Sequence, residues 1–167
     1  MFSATKTFID AGQGKRATAL SEYLAEQIYP EYQAYAKLIE AEVKRSRNDI
    51  PGAIRLIEEA KTLVDTWLGR FALGCAYLEA GAFAEAHEEL ELCIKRRGEA
   101  AAVFFDDIPS CRYIPPVYYY LARAQEGMNS PAATESYQKF LKIKENADPG
   151  IAEVEDARKR LAGLKSQ

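Results

Sequence analysis

A repeat of about 34 residues runs through this chain of 167 residues and restricts the folds that it can adopt. Equivalent places in its four copies are marked by Ala17, Ala53, Ala86 and Ala133. The first two intervals are 36 and 33 residues, and the third is 47, so the last interval contains an insertion. A unit of this length holds two helices and a turn, and it buries its apolar side only by stacking on its neighbours. The chain should therefore form one array of helical hairpins.

The clearest copy extends from Trp67 to Gly98 and predicts two antiparallel helices. Apolar residues recur at helical spacing up to Gly81, where a glycine can take the left-handed conformation that ends a helix. The second helix has an apolar stripe that includes Leu90, and its acidic residues precede its basic ones, as the helix dipole favours. Small residues such as Gly74 allow the two helices to approach closely.

Prolines and capping residues predict the helix boundaries. Pro30, Pro51, Pro116 and Pro131 stand where helices should begin, because the first turn tolerates a missing amide hydrogen. Asp49 and Ser130 are suitable N-caps. The predicted helices span residues 2–11, 14–28, 31–47, 50–63, 66–80, 83–101, 116–128, 131–145 and 150–164. They form hairpins at about 1–30, 31–65, 66–98 and 116–146, with an insertion at 99–115 and a polar-backed capping helix at 150–164.

The best copy resembles the tetratricopeptide repeat (TPR) family, whose pattern is carried here by Leu73, Gly74, Tyr77, Ala86, Leu90 and Cys93. The sequence departs from the family where tryptophan is usual, and the copies have Lys37, Arg70 and Tyr118 there. The resemblance covers nearly all of the chain and implies a single TPR-like domain of residues 1–167. It implies an all-α fold, in which antiparallel helix-turn-helix repeats form a right-handed superhelix, a TPR-like α-solenoid, with a C-terminal capping helix.

The third hairpin and the segment PPVYYYLARAQEG also resemble C-terminal TPR regions of large bacterial signalling proteins. In such proteins the array follows a kinase or another effector domain. Met1 falls at about the fourth position of the first copy, which has a short first helix. One expectation is therefore that this chain is the end of a larger protein, cut inside a longer array.

Composition excludes several classes of partner. The net charge of −3 provides no basic field for nucleic acid, and a mildly acidic chain is not attracted to an anionic membrane. No apolar run approaches the roughly 20 residues that span a bilayer, and the N-terminus lacks a secretory pattern. These features predict a cytoplasmic protein. Cys75, Cys93 and Cys111 are odd in number, and two lie on apolar stripes, so we expect reduced core residues.

No residue pattern predicts catalysis, a cofactor or a metal ion. His87 is the only histidine and lies within a helix without a partner at fixed spacing. Asp106 and Asp107 are adjacent, so they point in different directions and do not form an acid and base pair. GQGK at residues 12–15 lacks the preceding strand and the glycine spacing of a phosphate-binding loop, and we interpret it as a turn. We expect a protein without enzymatic activity.

The first helix of each hairpin lines the inner wall of a bent array, and this wall is the natural place to bind a partner. The apolar centre and charged flanks of its residues suit a helix or an extended peptide. The candidates are Tyr35, Leu38, Glu42, Arg45, Leu68, Phe71, Cys75, Leu78, Tyr119, Arg123 and Glu126. The alternative is that Leu38, Leu68 and Leu78 only pack between hairpins; the aromatic candidates suit a core and an interface equally. The lysine, arginine and asparagine clamp with which some family members bind chaperone C-termini is not recognisable.

The insertion is the most individual part of the chain. Pro109, Pro115 and Pro116 prevent a continuous helix, and the aromatic residues around them are too many for a disordered linker. We expect this loop to fold back over the array. Asp106, Asp107 and Arg112 then either form an ion pair or hold a ligand at the mouth of the groove.

Three functions remain open on the sequence alone. The main prediction is a non-catalytic scaffold that binds a protein or peptide on its concave face. The first alternative is a regulatory or ligand-sensing segment of a larger bacterial signalling enzyme, with a ligand under the inserted loop. The second is a self-association module that forms homo-oligomers.

Overall fold

The computed structural model describes residues 2–99 and 114–164, and all regular secondary structure in these ranges is helical, as the sequence predicts. None of the described helices is both long and apolar enough to cross a membrane. The helices are α1 (Phe2–Asp10), α2 (Gly14–Ala25), α3 (Pro30–Ser46), α4 (Ile50–Leu63), α5 (Trp67–Glu79), α6 (Phe83–Lys95), α7 (Ile114–Gly127), α8 (Ala132–Ile143) and α9 (Ala152–Leu164).

Local signals at the helix ends account for most of these bounds. The Asp49 carboxylate accepts a hydrogen bond from the Gly52 amide at 3.0 Å, which confirms the predicted N-cap of α4. Gly81 has a φ of +76° and closes α5 as predicted. The prediction for α8 is wrong in detail, because Pro131 is the N-cap and the Ser130 hydroxyl accepts from the Ala132 amide at 3.4 Å.

Two helices end earlier than predicted. Helix α2 stops at Ala25 rather than residue 28. A turn follows and ends at Tyr29, which is extended before Pro30, with φ −85° and ψ 129°. Helix α6 stops at Lys95 rather than residue 101. There the Arg96 guanidinium turns back to Asp65, with Nη1 3.0 Å from Oδ1, and a turn replaces the helix.

The helices pack in two rows. Each helix contacts the next in chain order wherever both are described. Short turns make most of these neighbours antiparallel. Helices α6 and α7 are antiparallel too, because Gly127 at the end of α7 lies against the Phe83 ring at the start of α6. The odd-numbered helices also contact one another in the series α1, α3, α5, α7 and α9. Within the described ranges, the backbones of even-numbered helices do not approach one another, although Lys61 of α4 reaches Glu89 of α6, with Nζ 2.6 Å from Oε1. The odd-numbered helices therefore form one continuous row, and the even-numbered helices form a second row beside it.

The repeat alanines are buried on the even-numbered helices. Ala17, Ala53, Ala86 and Ala133 are at most 1% exposed, and each begins the buried stripe of an even-numbered helix. One core extends through α1 to α7, and a second joins α7, α8 and α9. Alanine at these places allows neighbouring helices to approach, since larger side chains would hold them apart.

Ion pairs join the two helices of two hairpins through Lys37 and Arg70. Lys37 Nζ lies 2.6 Å from Glu59 Oε2, which joins α3 to α4. Arg70 Nη1 lies 2.8 Å from Glu89 Oε2, which joins α5 to α6. Charged side chains therefore connect the two helices in each of these hairpins.

Candidate interaction face

The predicted partner-binding residues that the structure describes all lie on α3, α5 and α7, in the row of odd-numbered helices. We call the surface that carries Arg45, Phe71, Glu79, Tyr120, Arg123 and Asp156 the odd-helix face. Its side chains join adjacent odd-numbered helices. Because α9 contacts α7, the face extends to the C-terminal helix.

Several residues that the sequence predicts to bind a partner are instead buried between the helices. Tyr35, Leu38, Leu68, Leu78 and Tyr119 are buried. Burial of the three leucines agrees with the packing alternative. Phe71, Glu42, Arg45, Arg123 and Glu126 retain part of their surface. The surface that a partner could touch is thus polar and aromatic rather than aliphatic.

An ion cluster joins α3 to α5 on this face. The Arg45 guanidinium donates two hydrogen bonds to Glu79, from Nε at 3.1 Å and from Nη2 at 2.5 Å, and a third to Glu42. Burial acts to lower the pKa of Arg45, but the hydrogen bond to Glu79 and the charge of Glu42 outweigh it, so the pKa is raised above its ordinary value. The arginine therefore stays charged, and it holds the second and third hairpins together.

Cys75 lies beside this cluster and is buried. Burial raises the pKa of its thiol to about 12, against the smaller opposing influence of Arg45. A thiol that stays protonated is a poor nucleophile. The described Cys75 and Cys93 are both free and buried, which agrees with the predicted reduced core residues.

A second polar cluster joins α7, α8 and α9. The Tyr119 hydroxyl donates to Asp156 at 2.8 Å, and the Tyr137 hydroxyl donates to Glu126 at 2.6 Å. Arg160 bridges the two carboxylates, with Nε 2.6 Å from Asp156 and Nη1 3.1 Å from Glu126. Side chains of α9 therefore bind Tyr119 and Glu126, two residues predicted to bind a partner.

Sequence reasoning missed three residues of this cluster. Asp156 and Arg160 are spaced four residues apart on α9, a common surface pattern that does not reveal contacts with α7. Tyr137 lies on the predicted apolar stripe of α8, so its sequence position indicates only burial. The sequence gives only a weak signal for these contacts, because Tyr137 and Glu126 are 11 residues apart in the chain and Tyr119 and Asp156 are 37 residues apart.

A row of aromatic rings crosses the odd-helix face. Phe71 stacks on Trp67 at 5.6 Å between centroids and meets the edge of Tyr120 at 5.8 Å. Tyr120 contacts Tyr119 at 5.1 Å. Burial raises the pKa of Tyr120, so its hydroxyl remains protonated. Phe71 and Tyr120 keep part of their surface, and they place aromatic area between α5 and α7.

Arg123 differs from the other arginines of this face. Its guanidinium carbon lies 5.7 Å from the centroid of the Tyr119 ring, a cation–π distance. Arg45 and Arg160 each bind two carboxylates, whereas Arg123 forms no ion pair with any residue in the ranges 2–99 and 114–164. Arg123 is half-buried, and the Tyr119 ring that it contacts is buried.

The predictions for Asp106, Asp107 and Arg112 fall in residues 100–113, outside the described ranges. Within the described ranges, no group of three histidine, cysteine, aspartate or glutamate side chains could hold a metal ion. His87 lies on α6 with Nε2 3.7 Å from Glu91 of the same helix. Comparison with protein-family models finds none that matches the chain, and comparison with curated proteins finds no significant match.

The α7–α9 cluster predicts a pH dependence of stability. Burial acts to raise the pKa of Asp156, but the hydrogen bonds from Tyr119 and Arg160 outweigh it and hold the pKa below the ordinary value of 3.8. Because the folded pKa is depressed, this stabilisation is present above the unfolded pKa and is lost as the pH falls through the folded one. We expect Asp156→Asn to cost about 1 kcal/mol near pH 7 and to cost less near pH 3.

Urea unfolding at both pH values, followed by far-UV circular dichroism, measures this difference. Glu155→Gln is the matched control, since Glu155 is an exposed neighbour on the same helix. An Asp156→Asn cost that is equal at pH 7 and pH 3 would contradict an ionised, hydrogen-bonded Asp156.

Proposed function

We propose that the chain is a TPR-like α-solenoid that acts as a non-catalytic scaffold and binds a peptide segment of a partner protein along the odd-helix face. The continuous contact series α1, α3, α5, α7 and α9 is the observation that carries this proposal. In a stacked array, each such helix adds one row of side chains to a shared surface, and extended surfaces of this kind suit peptides.

The chemistry of the face supports a peptide as the occupant. Half-buried Phe71 and Tyr120 offer aromatic area, which is the commonest anchor at protein interfaces. Arg123 offers a cation whose charge no described carboxylate neutralises in an ion pair. A peptide would match this surface if it placed an apolar side chain against Phe71 and Tyr120. Its acidic or carbonyl group would then bind Arg123. Binding here requires no cofactor and no chemical step.

A library of random peptides displayed on phage tests this proposal directly. Peptides selected on the native chain should lose at least about tenfold in affinity against Arg123→Glu, because the reversed charge repels the group that Arg123 binds. The matched control is Glu88→Arg, a charge reversal at an exposed place on α6. Circular dichroism of both variants checks that the fold is retained.

Two results would count against peptide binding on this face. The first is the absence of any enriched peptide after repeated selection. The second is a set of binders whose affinity falls equally with Arg123→Glu and Glu88→Arg, since a binding surface on the odd-numbered helices cannot depend on an outward residue of α6.

A further inference from the structure

Helix α9 has the fewest buried residues among α2 to α9. Only Val154 and Ala157 of its 13 residues are buried, whereas each of α2 to α8 has at least three buried residues. Of the described helices, α9 contacts only α7 and α8. Its departure would therefore break no contact between the other described helices. A terminal element with few buried side chains belongs to the low-stability end of a structure.

The segment that joins α8 to α9 is suited to act as a hinge. It spans residues 144–151, and its backbone hydrogen bonds are local, since the amides of Glu145 and Ala147 donate to carbonyls three residues earlier. Gly150 has a φ of +86°, a conformation that glycine adopts without strain. Residues 148–150 are exposed. These local bonds would remain if α9 moved away from the array.

The surface that α9 covers is apolar in its centre. Val154 and Ala157 share one core with side chains of α7 and α8, and Leu161 packs against that core. We call the covered surface the α9 seat, and it consists of Tyr119, Ala122, Glu126, Tyr137 and Phe140. The seat therefore offers aromatic and aliphatic area to one face of a helix.

Polar groups of the seat set the direction and register of the helix. The Tyr119 hydroxyl donates to Asp156 at 2.8 Å, and Arg160 Nη1 lies 3.1 Å from Glu126 Oε2. Asp156 and Arg160 are four residues apart, so they point to the same side of α9. The seat thus matches a carboxylate with a hydroxyl donor and a guanidinium with a carboxylate. A helix placed in the reverse direction would lose both contacts.

We infer that α9 is exchangeable, and that the α9 seat is a docking site for an amphipathic helix of a partner protein, which takes the place of α9. A helix that fits has the pattern of VEDARKRL, residues 154–161. Its first and last positions are apolar, and its fourth is small, because Ala157 has no exposed surface. Its acidic residue and its arginine are four residues apart. Such helices bind by laying one apolar face into a complementary surface.

The α9 seat is continuous with the odd-helix face. The Tyr119 ring belongs to the seat, and its centroid lies 5.7 Å from the guanidinium carbon of Arg123. A partner helix in the seat would keep the second core covered, because it supplies the contacts that α9 supplies. This docking does not rest on the proposed peptide binding, since it uses the residues of α7 and α8 that α9 covers.

A labelled copy of α9 tests the exchange. The probe is a fluorescein-labelled peptide with the sequence of residues 150–164, and Ala157→Glu in the full chain vacates the seat, because an unpaired glutamate is not tolerated in the core. Fluorescence anisotropy should give a dissociation constant at least about tenfold lower for Ala157→Glu than for the native chain, whose own α9 competes at roughly millimolar effective concentration. Ala152→Glu, at an exposed position of α9, is the matched control and should bind as weakly as the native chain.

Peptide variants test the recognised pattern. Arg160→Glu in the peptide should weaken binding to the Ala157→Glu chain at least about tenfold, because Glu126 repels the new carboxylate. Arg158→Glu makes the same charge change at an exposed position and should bind like the native peptide. Hydrogen exchange of the Ala157→Glu chain, read by mass spectrometry, should show that α3 to α8 keep their protection while α9 loses it.

Four results would overturn the inference. Equal affinity of the peptide for the native and Ala157→Glu chains would place its binding outside the seat, and no binding to Ala157→Glu would exclude the exchange. Loss of protection throughout α7 and α8 in Ala157→Glu would show that α9 is an integral part of the array. Equal effects of Arg160→Glu and Arg158→Glu in the peptide would exclude the recognised pattern. Failure of the phage selection would leave all four readings unchanged, so the two proposals fail separately.

Discussion

Replacing Trp67 with alanine should lower the free energy of unfolding by about 3–5 kcal/mol, one of the two largest losses that we expect from a single substitution in this chain. The Trp67 side chain has no exposed surface and lies in the core that joins α1 to α7. Its ring stacks on Phe71, and its indole nitrogen donates to the Cys93 carbonyl at 2.8 Å. Alanine would leave a cavity and would also remove the donor from a buried carbonyl.

Urea unfolding followed by far-UV circular dichroism measures the loss, because Trp67 is the only tryptophan and its removal abolishes the fluorescence signal. Trp67→Phe separates the two causes. It keeps most of the apolar volume but loses the hydrogen bond, so it should cost clearly less than alanine, about 1–3 kcal/mol.

Tyr29→Ala is the matched control, since it truncates an aromatic side chain that is 59% exposed. It should change the free energy of unfolding by less than about 0.5 kcal/mol under conditions in which the chain is monomeric. Equal losses for Trp67→Ala and Tyr29→Ala would contradict the placement of the indole in the core.

The fold was largely predictable because its signals are local. Gly81 ends α5 and Asp49 caps α4 through contacts within a few residues, so sequence spacing alone reveals them. The buried repeat alanines were also predictable, because the repeat period places them at equivalent positions in successive hairpins. Apart from the ends of α2 and α6, every predicted bound lies within two residues of the structure. The end of α6 could not be read from spacing, since the Arg96 to Asp65 contact joins residues 31 apart.

The sequence predicted which helices carry the odd-helix face, but not which of its side chains are exposed. Spacing on the first helices correctly assigned Glu42, Arg45 and Arg123 to α3 and α7, but it could not show which side chains remain exposed. Exposure depends on what the neighbouring helices contribute. Tyr119 is buried because Asp156 and Arg160 come from α9, and no pattern in α7 predicts that contact. Tyr120 is absent from the predicted candidates, because a run of three tyrosines does not indicate which ring faces outward.

Gly74 supplies the second large effect, through its contact with Leu90 where α5 crosses α6. A Cβ atom at Gly74 would lie 2.7 Å from Leu90 Cγ and 3.0 Å from Cδ2, closer than side chains tolerate. Leu90 has no exposed surface and cannot move aside easily. Leu90→Ala alone should therefore cost about 2–5 kcal/mol through the cavity that it leaves. Gly74→Ala alone should cost up to about 2 kcal/mol, because overpacking exceeds the gain in helix propensity.

The double variant should reverse the sign of the Gly74 substitution. With Leu90 already alanine, the new methyl group enters the vacated space, and the helix propensity of alanine adds about 1 kcal/mol of stability. Four urea unfolding curves, for the native chain, the two single variants and the double variant, give the coupling free energy between the positions. A Gly74→Ala effect that is the same in both backgrounds would mean that the helices do not meet at Leu90. A reversal would establish that the glycine is required by this close approach, since a conformational requirement of the α5 backbone would persist whether residue 90 is leucine or alanine.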